Sequence, residues 1–192
     1  MTAHHLDALV GCLHDEFRLP GARNGRIAEL LGEYARTCSD WRAFALSSDQ
    51  HYTRNLVARE TRFELMILCW GPGQESPIHN HEGQDCWMAV LDGEAEEVRY
   101  PMPAGSGAGP LRSKGMLRFT PGQVAFIRDE MGLHLVRPVS ISVSGCVTLH
   151  LYSSPYDECN CYCPETGRVT RKKLGLHSIR GRVLAPGAAE PA

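Results

Sequence analysis

The sequence predicts a mainly β domain with helices at its N-terminus, and three observations carry that prediction. From His51 onward, short apolar and β-branched runs are separated by Gly, Pro and Asp. Before them, two stretches repeat their apolar residues at helical spacing. The chain has 192 residues, 43% hydrophobic and 22% charged, enough for one well-filled core and ordinary for a soluble globular protein. A single domain over residues 1–192 is expected, with a helical part at 1–50, a β body at 51–179 and a tail at 180–192.

The first helix is expected over residues 6–17, where Leu6, Leu9, Val10, Leu13 and Phe17 share a face before Leu19-Pro20-Gly21 stops it. A second runs from Asn24 to Thr37 with Ile27, Leu30, Leu31 and Tyr34 inward. Both should cover one side of a sheet. The turn-rich piece that follows offers Trp41 and Phe44 to the core. The strand runs are RNLVAR, FELMILCW, CWMAVLDG, AEEVRY, MLRFT, QVAFIRD, LHLVRP and ISVSGCVTLHLY, an antiparallel body. Turns are marked by Gly71-Pro72-Gly73, Asp92-Gly93 and Pro121-Gly122. The insert PAGSGAGP at 103–110 reads as a mobile loop within the body, since strands flank it, and Arg180 to Ala192 as a poorly ordered tail.

The last long run, Ile141 to Tyr152, divides cleanly by alternation. Ile141, Val143, Val147, Leu149 and Leu151 fall on one face; Ser142, Ser144, Cys146, Thr148, His150 and Tyr152 fall on the other. A solvated strand face usually carries Lys, Glu or Arg, and this one has none. It should line an interior cavity.

A formal net charge of -2 gives no basic excess for nucleic acid or an anionic membrane, so small-molecule partners are expected. The opening MTAHHLDALVGCLHDEF has neither the basic start nor the long apolar core of an export signal or a membrane span. The expected compartment is the cytoplasm, and its eight cysteines should then be mostly reduced. The triplet Cys159, Cys161, Cys163 in CNCYC invites a zinc reading, but no second cysteine half stands at a suitable distance.

The chemistry gathers in PIHNHEGQDCWMAVLDGE, residues 77–94. In an extended strand His79 and His81 project to the same side and can grip one metal ion, although a bare pair fits hydrogen-bonded histidines equally well. The spacing Gly73, His79, His81, Cys86, Gly93 resembles the first motif of the cupin superfamily, with Cys86 where most members have glutamate. That resemblance implies a jelly-roll β-barrel, whose interior can hold a metal or small ligand. It also points to His134 in GLHLVRP as the third ligand, from the position of the second cupin motif.

From His51 to Ser178 the resemblance narrows. HYTRNLV, MILCWGPG, IHNHEGQDC, GLHLV and TLHLYSSPYDEC, in that order, are similar to the cysteine dioxygenases, mononuclear iron enzymes of the cupin superfamily. The resemblance implies Fe(II) held by His79, His81 and His134, L-cysteine and O2 as substrates, cysteine sulfinic acid as product, and a monomer. Three neutral imidazoles would leave the full positive charge on the ion, which suits an anionic chelating substrate. Arg54 matches the family's carboxylate-binding arginine, a guanidinium that can grip a carboxylate by two parallel hydrogen bonds, and Tyr52 matches a tyrosine that assists. Cys86 and Tyr152 match the pair that animal-type members join by a thioether. His150 would orient Tyr152, with Thr148 in place of the family's serine, and Cys159 matches a cysteine at the active-site entrance.

Cys161 and Cys163 have no counterpart in the resemblance. The residues leave alternatives open. Spacing alone allows zinc or nickel, free cysteine is commonly a small buried hydrophobe, which Cys86 would then be, and an arginine such as Arg54 more often makes a surface salt bridge. A 3-mercaptopropionate dioxygenase would tend to carry glutamine at Arg54 and glycine at Cys86, and a non-catalytic cupin would bind a metal or metabolite without consuming oxygen.

Overall fold

The computed structural model describes residues 5–19, 24–139 and 144–185. Helix α1 spans His5–Arg18 and α2 spans Asn24–Thr37. Leu6, Leu9 and Leu13 are buried from α1, and Ile27, Leu31 and Tyr34 from α2, as their spacing requires. A short 3-10 turn, Asp40–Phe44, buries Trp41 and partly buries Phe44. Its Asp40 also holds the start of α1, accepting the Leu6 amide at 2.8 Å.

Thirteen strands follow among the described residues: β1 Thr53–Arg59, β2 Glu64–Trp70, β3 Ile78–His79, β4 Cys86–Asp92, β5 Ala95–Tyr100, β6 Gly115–Phe119, β7 Val124–Ile127, β8 Leu133–Pro138, β9 Cys146–Tyr152, β10 Glu158–Tyr162, β11 Val169–Lys173, β12 Ser178–Ile179 and β13 Arg182–Val183. One sheet runs β13-β12-β1-β2-β9-β4-β7 and the other β11-β10-β3-β8-β5-β6. Within them β2 pairs with β9, β3 with β8, β4 with β7 and β5 with β6, all antiparallel. That nesting is one long hairpin rolled up so that successive pairs alternate between two sheets, which is the jelly roll. The expected cupin architecture is therefore present, with one parallel pairing, β1 with β12, outside it.

The turn between β4 and β5 shows why a glycine is needed at position 93. Gly93 has φ of 69°, and a Cβ there would meet the Gly145 carbonyl at 2.5 Å.

Two cores result. The helices, Trp41, Phe63, Leu65, Ile67, Trp87, Leu149 and Leu151 form one, outside the seven-stranded sheet. Leu56, Met66, Leu68, Trp70, Cys86, Met88, Val136 and Tyr152 form the other, between the sheets.

Three expectations need correction. The insert at 103–110 is tied to the 164–167 turn by backbone hydrogen bonds from Gly107 to Gly167 and from Gly109 to Thr166, at 3.0 and 3.3 Å, so it is a held loop. The expected tail begins later than Arg180, because β13 pairs with β12 and Leu184 donates to His177 at 2.9 Å. The strand expected from Ile141 to Tyr152 is β9, which begins at Cys146; Ile141, Ser142 and Val143, like Pro20, Gly21 and residues 186–192, lie outside the described residues.

Candidate metal centre and substrate pocket

Two strands of the smaller sheet, β3 and β8, and the turn after β3 bring the histidines together. His79 and His134 are directly opposite each other in the β3 and β8 ladder. The strand stops at His79, and the chain turns through Glu82 and Gly83, both with positive φ. His81 therefore stands in the turn and not on a continuous strand with His79. Its place is fixed by Asp129, whose carboxylate accepts the amides of His81 and Gly83 at 2.7 and 2.9 Å. Asn80 is fixed from the other side, exchanging hydrogen bonds with the Asn160 backbone.

The ring centroids lie 5.1 Å apart for His79 and His81, 4.7 Å for His79 and His134, and 4.7 Å for His81 and His134. One ring nitrogen from each lies within 4.8 Å of those of the other two. His79 Nδ1 is 2.9 Å from the Pro77 carbonyl and His134 Nδ1 is 2.8 Å from Glu97 Oε1, so each can donate there and leave its Nε2 free. His81 is fully buried, and neither of its ring nitrogens has a hydrogen-bond partner among the described residues. A buried unpaired imidazole is costly, and a cation at the centre of the triad would satisfy it. Burial holds all three imidazoles below their usual range, and mutual repulsion adds to this for His81 and His134. They are neutral donors, which fits a metal ion. The other group of this kind among the described residues, His5, Cys38 and Asp40, lies nearer the surface, where Asp40 already accepts from Leu6 and from the Tyr34 hydroxyl.

Beside the triad is a small chamber lined by Tyr52, Arg54, Trp70, His79, His134, His150, Tyr152, Tyr156 and Cys159. Only a small substrate fits. Arg54 is buried, 7% exposed, and its Nη2 is 4.0 Å from Glu64 Oε1, too far for a direct hydrogen bond. Glu64 is held instead by Arg59 at 2.9 Å. The Arg54 guanidinium thus lies beside the chamber with donors to offer. Tyr52 stacks on Trp70, with centroids 4.5 Å apart and rings inclined by 17°.

In the same sheet, next to β2, the inner face of β9 builds a hydrogen-bonded chain. Trp70 Nε1 donates to Thr148 Oγ1 at 2.8 Å; Thr148 Oγ1 lies 2.9 Å from His150 Nε2; His150 Nδ1 lies 3.3 Å from the Tyr152 hydroxyl. Burial keeps His150 neutral and raises the Tyr152 hydroxyl well above its usual range, with Cys86 adding to the rise. Cys86 is 1% exposed and directly opposite Tyr152 in the β4 and β9 ladder.

Sequence reasoning named His79, His81, His134, Arg54, Tyr52, Cys86, Tyr152, His150, Thr148 and Cys159; His79, His134, Arg54, Tyr52, Tyr152, His150 and Cys159 line one chamber, while His81, Cys86 and Thr148 stand behind it, against His79 and His134, Tyr152 and His150 respectively. It missed Glu97, Asp129, Glu64 and Trp70. Glu97 had a signal: a strand acid two residues before Arg99, therefore on the same face, where Arg99 now binds it at 2.8 Å. Asp129 had none, since its partners are backbone amides 46 to 48 residues away.

Comparison with known proteins gives a consistent result. Residues 1–165 match the family model for cysteine dioxygenase type I. The chain is similar to cysteine dioxygenase type 1 of Danio rerio, 33% identical over 94% of this chain and 90% of that one. It is also similar to cysteine dioxygenase type 1 of Homo sapiens, at 33% identity over 94% and 89%. A solved RmlC-like cupin protein from Desulfovibrio desulfuricans shares 22% identity over 58% of this chain and 91% of its own, with a TM-score of 0.43.

Proposed function

The chain belongs to the cysteine dioxygenase type I family, and from that premise we propose that it is an Fe(II)-dependent dioxygenase that adds both atoms of O2 to the sulfur of L-cysteine, giving cysteine sulfinic acid. The observation that carries the reading is a cluster of three neutral imidazoles, two of which share one small chamber with a buried guanidinium.

His79, His81 and His134 would hold the ion. Bound there, Fe(II) would supply the redox chemistry that joins a thiolate to O2. The rest is done by the chain itself. Arg54 binds the substrate carboxylate by paired, charge-assisted hydrogen bonds, and Tyr52, braced on Trp70, closes the same side. Binding at that end aims the thiol at the triad, and the confinement lowers the entropic cost of reaction. The narrow chamber limits water.

Tyr152 keeps its proton, because burial disfavours the phenolate. Thr148, which accepts from Trp70, has its own hydroxyl proton to give to His150 Nε2. A neutral His150 then donates from Nδ1 to the Tyr152 oxygen, which leaves the Tyr152 proton free to point at the substrate. The register of Cys86 against Tyr152 supports a thioether between the sulfur and the ring, formed by an oxidation that removes two hydrogens. The proposed setting is a cytoplasmic monomer acting on cysteine and O2.

The test is to load the purified protein with Fe(II) and follow oxygen uptake and sulfinate with L-cysteine and with 3-mercaptopropionate. The reading expects turnover of cysteine with a large preference over the thiol that lacks an amine. Equal or better use of 3-mercaptopropionate would reject the substrate, and absence of thiol-dependent uptake would reject the enzyme. Intact mass after turnover, two hydrogens lighter and mapped to peptides bearing Cys86 and Tyr152, tests the thioether.

A further inference from the structure

The stretch CNCYC takes no part in the chemistry above beyond Cys159, and the fold gives its first two cysteines a particular place. Both lie on β10 two residues apart and so project to the same side. They are buried, at 1% and 6% exposure, and their sulfurs are 3.9 Å apart. Cys159 lines the chamber, whereas Cys161 lines the wide groove outside it. Tyr52, Arg54, Pro77 and Leu174 border both spaces and form the throat between them. The sulfur pair therefore straddles that throat. Lys172 stands opposite Cys159 on β11 and puts positive charge near Cys161, while Arg54 does the same for Cys159.

At this distance the two thiols share a hydrogen bond, and once their protons are lost they can be joined to each other or can share an ion. A disulfide fits poorly. Residues two apart on a strand have Cα atoms about 6.6–6.8 Å apart, at the upper limit for bridging, and the sulfurs would have to close from 3.9 Å to about 2.05 Å. Chelation asks for no such movement: with metal–sulfur bonds of about 2.3 Å, a separation of 3.9 Å subtends about 116° at the ion, near the tetrahedral angle.

The geometry points to a second metal site, separate from the three histidines, in which Cys159 and Cys161 chelate one thiophilic ion of the zinc class at the mouth of the chamber. Each thiol loses its proton on binding, so two protons are released per ion. Arg54 and Lys172 offset the two thiolate charges. The remaining coordination positions face the groove, where water or a small thiol completes the tetrahedron. Cys163 is not a member, for its sulfur turns to Glu165 at 3.1 Å. An ion at this point narrows the throat and slows admission of substrate.

The ion site stands apart from the catalytic reading, while its effect on turnover rests on that reading. Cadmium(II) is the probe, since its thiolate charge-transfer band is absent from imidazole complexes. Titrated into iron-loaded protein, it should give a band that saturates at one equivalent above any contribution from the exposed thiols. Cys161→Ser and Cys159→Ser should each weaken that binding at least tenfold, and Cys163→Ser should leave it intact. Thermal melting checks folding, and Cys161→Ser, at the groove side, decides the matter if the more buried variant does not fold. A band undiminished in Cys161→Ser, or no band in the parent protein, overturns the site. Oxygen uptake in the same samples should fall as the band grows in the parent protein and not in Cys161→Ser; uptake that stays constant at saturation overturns the blocking role. The band needs no turnover, so an inactive preparation would fail the catalytic reading and leave the site's test standing.

Discussion

Strands β4 and β9 have two faces that share one hydrogen-bond ladder and obey different rules. The outer face carries Trp87, Ala89, Leu91, Leu149 and Leu151 under α1 and α2. The inner face carries Cys86, Met88, Cys146, Thr148, His150 and Tyr152. Burial is equally complete on both: Leu149 and Thr148 are each 0% exposed. What differs is what keeps each residue in place. An outer residue fills volume, and another apolar group of similar size would serve. An inner residue must meet a particular partner, since a buried polar atom left alone costs about 1–3 kcal/mol. Apolar packing lies on both sides of the ladder, while the polar partners are confined to the inner one.

The comparison can be broken most severely at His81. Its ring nitrogens make no hydrogen bond with the described residues, so His81→Ala should abolish iron binding and turnover while leaving the melting temperature close to the parent value. Stoichiometric iron in that variant would show that the polar interior facing β4 and β9 does not depend on His81. Leu149→Ala should do the reverse. Urea unfolding is expected to show a loss of about 2–5 kcal/mol, with iron content and turnover per folded molecule unchanged.

Two smaller changes sharpen the inner face. Glu97→Gln removes the carboxylate that accepts from His134 Nδ1, and competition with a chelator should show metal affinity reduced by about 10–100-fold. Thr148→Val keeps the shape and removes the hydroxyl between Trp70 and His150. It should lower kcat by about 2–10-fold, from a hydrogen bond worth about 0.5–1.5 kcal/mol, with KM unchanged and with Thr148→Ser restoring the rate.

The same contrast explains what could be read before the fold was known. Alternation alone assigned both faces of β9, because a period of two is a property of any strand. The helices were legible from Leu6, Leu9 and Leu13 and from Ile27 and Leu31 by the same kind of local rule. His79, His81, Cys86, Arg54 and Tyr152 were legible through short matched blocks. The supporting groups were not. Glu97 reaches His134 across a ladder 37 residues long in sequence, and Trp70 reaches Thr148 across 78. Such contacts depend on register between distant strands, which no local pattern encodes. The bend at His81 was hidden for a similar reason: Asp129, far along the chain, holds the turn that ends β3.

The most direct test of the account is the fate of oxygen when the iron-loaded protein turns over L-cysteine under isotopically labelled dioxygen. The account predicts sulfinate carrying both labelled atoms, with no label incorporated from labelled water. Product with one labelled atom, or cystine with no labelled sulfinate, would contradict it.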